Sequence, residues 1–316
     1  MSIIEEATKR LEQLGKAGIE APGKPEPAKR QDGASPSDPT PQQVARAAEL
    51  RGRASMPADG ARKERTEPSW SGDAATGRNV LKLDLERLQA NGIITPAAPD
   101  QQLLHEFRVI KRPLIRNALG KSGTQLPNGN LIMVTSALPG EGKTFVALNL
   151  AMSMTQEVDS TVLLVDADVV APSVPRVLGI QPAKGLMDVL TEPDLNFGNV
   201  ILKTNIKRLA LVLAGTRYRR SSELLASDAM AELLNEISSR YSDRIVIFDS
   251  PPLLATTESR VLASRMGQVV LVVEADRTTH GALESALSTV ESCPVVLTML
   301  NKATASDAGS YYGYYG

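Results

Sequence analysis

Six short apolar runs fix the range of folds open to this chain. LIMVTS (131–136), TVLLVD (161–166), RLALVLA (208–214), RIVIFD (244–249), QVVLVVE (268–274) and PVVLTMLN (294–301) are rich in β-branched residues. Runs of this kind suit strands covered on both faces. Helical stretches lie between most of them, including TFVALNLAMSM, SELLASDAMAELLNEISSRY, ESRVLASRM and GALESALSTVE. Strand-helix alternation of this sort predicts an α/β domain with a doubly wound, mostly parallel sheet. Ligands of such sheets bind beyond the carboxyl ends of the strands, so the chemistry is expected where these runs stop.

The first run stops in ALPGEGKTF, Ala137 to Phe145. Gly142-Lys143-Thr144 closes a P-loop of the GxxxxGK[ST] kind, with Ala137 in place of the first glycine. Such a loop wraps phosphates in backbone N–H groups, and the following helix N-terminus favours negative charge. Pro139, Gly140, Glu141, Gly142, Lys143, Thr144 and Phe145 are therefore the candidate nucleotide-binding residues. Lys143 is placed to reach the β- and γ-phosphates and Thr144 to ligate Mg²⁺. Two further runs end in acids: Asp166 and Asp168 after TVLLV, and Asp249 after RIVIF. One acid after a strand is commonly a helix cap. Three at the same sheet edge as a P-loop fit a site that holds a metal and accepts a proton.

Composition removes several other functions. With 35 basic and 36 acidic residues the net charge is -1, which gives no electrostatic case for nucleic acid. The single cysteine, Cys293, excludes an intramolecular disulfide and fits a reducing cytoplasm. No apolar run approaches the ~20 residues needed to cross a bilayer. Any membrane role is therefore expected to come through a partner.

The two ends differ from the middle. Residues 1–18 contain a short amphipathic helical pattern, with Ile3, Ile4, Ala7, Leu11 and Leu14 on one face. It reads equally as a helix docked on its own protein and as a tether for a partner. Residues 19–78 form a Pro-rich, charged linker whose composition predicts disorder, since it lacks the apolar surface to offset ordering entropy. Residues 79–302 carry the α/β domain. Residues 303–316 end in SYYGYYG, so Tyr311, Tyr312, Tyr314 and Tyr315 are four of the six tyrosines, the others being Tyr218 and Tyr241. Large rings stabilise proteins by burial, whereas a glycine-flanked terminus offers them no core.

These motifs together resemble the bacterial tyrosine kinases, and within them the soluble autokinases of exopolysaccharide and exosortase loci, a group related to partition-type ATPases. PGEGKT is similar to their Walker A, LLVDAD to their second Walker motif, IVIFDSPP to their Walker B, and SSELLAS (221–227) to their PSELL segment. The resemblance implies an ATP- and Mg²⁺-dependent protein-tyrosine autokinase in exopolysaccharide chain-length control. It implies catalytic roles for Lys143, Asp166, Asp168 and Asp249, with Asp166 as base and Asp168, Asp249 and Thr144 around the metal. The division of labour among the three acids stays open. It implies that Asn301 reads the adenine edge, and that a neighbouring subunit phosphorylates the four tail tyrosines. Its implied partners are a transmembrane chain-length activator, further copies of itself in a ring and a cognate tyrosine phosphatase. The implied location is the cytoplasmic side of the inner membrane.

Two positions depart from the family pattern. The second Walker motif usually continues DxDxR, but Val170 stands at the arginine position. The ExxRxxR assembly motif appears only as HEFRVIKR (105–112), with Glu106, Arg108, Lys111 and Arg112 at shifted spacing; a solvated helix face and an assembly contact both fit. Partition- and septum-positioning ATPases share the fold and the acids. They carry a second lysine where this chain has Leu138, and they lack a tyrosine tail. A non-catalytic, ATP-controlled scaffold of an export complex is the remaining alternative.

Overall fold

A computed structural model of the protein describes residues 80–96, 100–120, 126–158, 160–218, 220–241 and 243–303. The expected N-terminal helix, the linker and the tail tyrosines lie outside the described residues.

The chain enters through α1 (Leu85–Ala90) and α2 (Gln101–Ala118), capped by Asp84 and Asp100. Then β1 (Leu131–Ser136), α3 (Lys143–Met154) and β2 (Thr161–Asp166) follow. Short helices α4 (Val174–Leu178), α5 (Leu186–Thr191) and α6 (Phe197–Val200) lead to β3 (Leu202–Lys203) and β4 (Leu209–Val212). The chain continues through α7 (Ser221–Leu225), α8 (Asp228–Arg240), β5 (Arg244–Asp249), α9 (Glu258–Ser264), β6 (Gln268–Glu274), α10 (His280–Ser288) and β7 (Val295–Asn301). The seven strands lie in the order β3-β4-β2-β5-β1-β6-β7, and every pairing except β3–β4 is parallel.

The six apolar runs are six of these strands. The two-residue edge strand β3 was not legible as an apolar run, and the expected long helix at 222–241 is broken into α7 and α8. Ser227 causes the break: its side chain accepts from the Met230 amide and so starts a new helix. The expectation of burial on both faces holds for β1, β2, β4 and β5 but not for β7, an edge strand whose Leu300 is exposed.

Alternate residues of the buried strands feed two cores. Leu131 and Met133 of β1 join Met230, Leu234, Ile237 and Leu262 on one face. Ile132 and Val134 join Phe107, Leu114, Val146 and Leu150 on the other. Lys111, read from sequence as part of a charged motif, is buried instead. Its ammonium donates to the Ser153 carbonyl at 2.7 Å and pairs with Glu157 at 2.8 Å, tying α2 to the end of α3. Glu106, Arg108 and Arg112 remain exposed on α2.

Candidate active site

Register sets the positions of the acids. Asp166, the last residue of β2, is paired in register with Asp249, the last residue of β5. Val134 of β1 lies opposite Asp249 on the other side, and two residues later β1 gives way to the P-loop. Both loop glycines adopt left-handed backbones, φ 90° at Gly140 and 95° at Gly142. A side chain at Gly142 would also collide with Asn301, whose amide nitrogen stands 2.1 Å from where a Cβ would sit. Gly142 caps α3 without a side-chain hydrogen bond, which leaves the first amides of that helix facing the loop.

Lys143 opens α3 and folds its ammonium onto the acids. It stands 2.6 Å from Asp168 and 3.9 Å from Asp249. Burial alone would lower its pKa, but the charges of Asp249 and Asp168 outweigh this and raise it. The Thr144 hydroxyl donates to Asp249 Oδ2 at 2.6 Å, so Ser173, 2.7 Å away, is the donor to Thr144. The other Asp249 oxygen, Oδ1, is buried without a hydrogen-bond partner. Burial pushes the Asp249 carboxyl up to about 6, against the pull of Lys143 and Thr144.

Asp166 lies deeper. One oxygen accepts from the Asp168 amide at 3.2 Å and the other from the Val174 amide at 3.3 Å. Burial raises its pKa well above the carboxylate range, and the charges of Asp249 and Asp168 raise it further. Asp168 accepts from the Ala171 amide at 3.0 Å and, unlike Asp166, lines the cleft. That cleft has a volume of about 390 Å³. Gly140, Lys143, Thr144, Asp168, Arg176 and Pro251 are among the residues that line it.

A magnesium ion fits this set only in part from the protein. Among the described residues no group of three or more His, Cys, Asp or Glu is arranged to hold a metal. Thr144 and the orphaned Asp249 oxygen supply two oxygen positions, which suits an ion that keeps waters and takes the rest of its shell from phosphates.

The opposite flank of the loop is a buttress that sequence motifs largely missed. Glu141 is buried; its carboxylate accepts from the Leu138 amide at 2.8 Å and from the Thr278 hydroxyl. Asn301 donates to the Glu141 carbonyl at 2.9 Å. Lys302 donates to the Gly140 carbonyl at 2.8 Å and pairs with Glu274 at 3.0 Å. Thr278, Glu274 and Lys302 belong to no motif; the one signal was their position just beyond β6 and β7, at the edge where ligands bind.

Comparison with known proteins places this geometry. A family model described as NUBPL iron-transfer P-loop NTPase, of the ParA group, matches residues 128–273. The tyrosine-protein kinase YwqD of Bacillus subtilis is 33% identical over 186 residues, covering 58% of this chain and 77% of YwqD. The chain belongs to the bacterial tyrosine-protein kinases. The putative tyrosine-protein kinase EpsB of Ralstonia nicotianae is 31% identical over 229 residues, which are 71% of this chain. The matched part spans only 29% of EpsB's length.

Solved kinase domains agree. The kinase domain of the Escherichia coli tyrosine kinase ETK is 28% identical, covers 61% of this chain and 75% of its own, and superposes with a TM-score of 0.53. The VpsO kinase domain is 26% identical, covers 64% of this chain and 97% of its own, and gives 0.55. Against the expectations for this kinase-family member, Lys143, Thr144, Asp168 and Asp249 come together at the loop. Asp166 sits behind them, and Asn301 touches the loop backbone. Among the described residues no helix is long and apolar enough to cross a membrane.

Proposed function

We propose that this protein is an ATP-dependent protein-tyrosine autokinase acting on the tyrosines of its own C-terminal cluster, Tyr311, Tyr312, Tyr314 and Tyr315. The observation that carries this reading is the Lys143–Asp168 pair in the cleft beside the Thr144–Asp249 hydrogen bond. Lys143 and the amides of Gly140 to Thr144 hold the phosphates. Thr144 and Asp249 would hold Mg²⁺, which would supply neutralising charge for the phosphoryl group being transferred. The tyrosine oxygen takes the γ-phosphoryl group, ADP departs, and the hydroxyl proton passes to a carboxylate. Because Asp168 lines the cleft and Asp166 is tied down by two backbone amides, the proton acceptor assigned here is Asp168. Asp166 then positions the 166–174 loop. Asn301 sets the loop height, with adenine contact a further role at the same sheet edge.

The packing of the other two tyrosines supports the choice of acceptor. Tyr241 is buried, with its ring 6.2 Å from that of Phe197 and the Arg244 guanidinium 4.4 Å above it. The Tyr218 hydroxyl donates to Asp188 at 3.2 Å. Burial acts to raise the Asp188 pKa, but the hydrogen bonds from Thr216, Gly185 and Tyr218 outweigh it and keep the carboxylate below its usual range.

Transfer between copies, a homo-oligomeric ring, an activating transmembrane chain-length partner at the inner membrane and reversal by a tyrosine phosphatase complete the proposal. Full modification would add about -6 to -8 charges to the tail, which gives phosphorylation a means to loosen contacts between copies. The product would thereby regulate exopolysaccharide chain length and export. A mixing experiment tests the direction of transfer. A full-length Lys143→Met chain is incubated with ATP, Mg²⁺ and a catalyst whose four tail tyrosines are Ala. Phosphotyrosine on the Lys143→Met chain is expected; its absence, while wild type modifies itself, would restrict transfer to a chain's own tail.

A further inference from the structure

The strand ends hold a second concavity beside the phosphate cleft, over β2 and β4. Pro172, Pro175, Pro182, Ala183 and Leu213 form most of its wall, and it has a volume of about 320 Å³. Its one charged lining residue is Arg176, which also lines the phosphate cleft. Among the described residues no hydrogen bond or ion pair engages the Arg176 guanidinium, although its backbone carbonyl accepts from Arg87 at 3.3 Å. Arg176 therefore borders both cavities, and a third lined also by Arg87 and Phe145, with no partner on its guanidinium among the described residues.

The chemistry of this pocket selects its occupant. Apolar walls with a single cation suit a flat ring that carries a polar tip. A guanidinium also attracts an aromatic face and, bidentately, a phosphate. Three prolines hold the walls at fixed backbone angles, which lowers the ordering entropy of binding. We propose that the pocket receives the ring of one tail tyrosine from a second copy of this chain while another tyrosine of the same tail occupies the cleft. This rests on the kinase reading above and names the acceptor subsite it requires.

The chain supplies such a segment at the right place. The described residues end at Ala303, directly after Lys302, whose ammonium is bonded to the Gly140 carbonyl. Lys302 therefore stands beside Gly140, one of the residues that line the cleft. The 13 residues beyond Ala303 (316 minus 303) reach at most about 45 Å when extended. Tyr311 and Tyr314 are three residues apart, at most about 10 Å, a spacing suited to two cavities that share one side chain.

A blocking substitution tests this. Ala183 is exposed on the pocket wall and does not line the phosphate cleft. Ala183→Trp is placed in the full-length catalyst whose four tail tyrosines are Ala, and Pro182→Trp serves as an independent second blocker. Initial phosphotyrosine formation is followed against the concentration of full-length Lys143→Met acceptor. The apparent KM for the acceptor is expected to rise about tenfold, with a much smaller change in kcat; affinity for a fluorescent ATP analogue verifies folding. An unchanged KM in both blockers would overturn the subsite while leaving the kinase reading intact. Self-modification by wild type without transfer to the Lys143→Met chain would replace the second copy by the chain's own tail and so refute the proposal. Absence of any phosphotyrosine in wild type would remove the kinase reading and the subsite together.

Discussion

The P-loop has two flanks, and they are built on opposite principles. On the β6/β7 side, Glu141, Thr278, Asn301, Lys302 and Glu274 satisfy one another and the loop backbone through hydrogen bonds. On the β2/β5 side, three carboxylates crowd one lysine, one buried oxygen has no hydrogen-bond partner, and two acids are pushed upward by burial. Satisfied buried polar groups rigidify a structure, whereas unsatisfied ones are costly and mark places kept for chemistry. The first flank is a brace, and the second is the surface to which the proposed function assigns the chemistry. Substitutions on the reactive side should therefore remove function at little cost in stability, and those on the brace should loosen nucleotide binding in a graded way.

Lys143→Met gives the largest expected effect. Loss of phosphotransfer by about 10³-fold or more follows from removing the phosphate-binding charge, with the circular dichroism spectrum retained. Transfer near the wild-type rate would break the assignment of the reactive flank.

Asp249→Asn should lower transfer by about 10²-fold or more by removing a metal-binding charge, and should stabilise the nucleotide-free fold. The sign follows from its pKa, pushed up to about 6. The carboxyl holds its proton more tightly folded than unfolded, so its contribution favours folding below about pH 4 and is lost as pH rises through 6. At pH 7.5 the wild type thus carries a penalty of up to about 3 kcal/mol that Asn avoids. Thermal melts without Mg²⁺ should show Asp249→Asn above wild type at pH 7.5, with the gap narrowing toward pH 5. A lower melting temperature at pH 7.5 would contradict the electrostatic account.

On the brace, Asn301→Ala removes the bond to the Glu141 carbonyl and should weaken ATP affinity by about three- to tenfold, on the scale of one hydrogen bond. Lys302→Ala breaks a half-exposed pair with Glu274 and should change affinity by less than about threefold. Calorimetric titration with an ATP analogue ranks the two. If Lys302→Ala proved the more damaging, the brace would rest on the wrong residue.

Much of this contrast was legible in the sequence on one side only. Phosphate chemistry repeats as a motif, so PGEGKT and the acids after TVLLV and RIVIF announced themselves, and strand register then brought Asp166 beside Asp249. The brace uses one side chain from each of several unrelated turns, which leaves no spacing to recognise. Depth was equally invisible. Nothing in VDAD tells that Asp166 is tied to backbone amides while Asp168 faces the cleft. Lys111 read as a surface charge because its acceptor, the Ser153 carbonyl, lies 42 residues away.

On the proposed reading, the acidic flank serves tyrosines other than Tyr218 and Tyr241, which the fold packs. Mapping phosphotyrosine by mass spectrometry on full-length protein after ATP–Mg²⁺ treatment tests it most directly. Phosphate is expected on Tyr311, Tyr312, Tyr314 and Tyr315, with Tyr241, packed against Phe197 and Arg244, and Tyr218, bonded to Asp188, left unmodified. Phosphate confined to Tyr218 or Tyr241, or none on any tyrosine with ATP demonstrably bound, would contradict it.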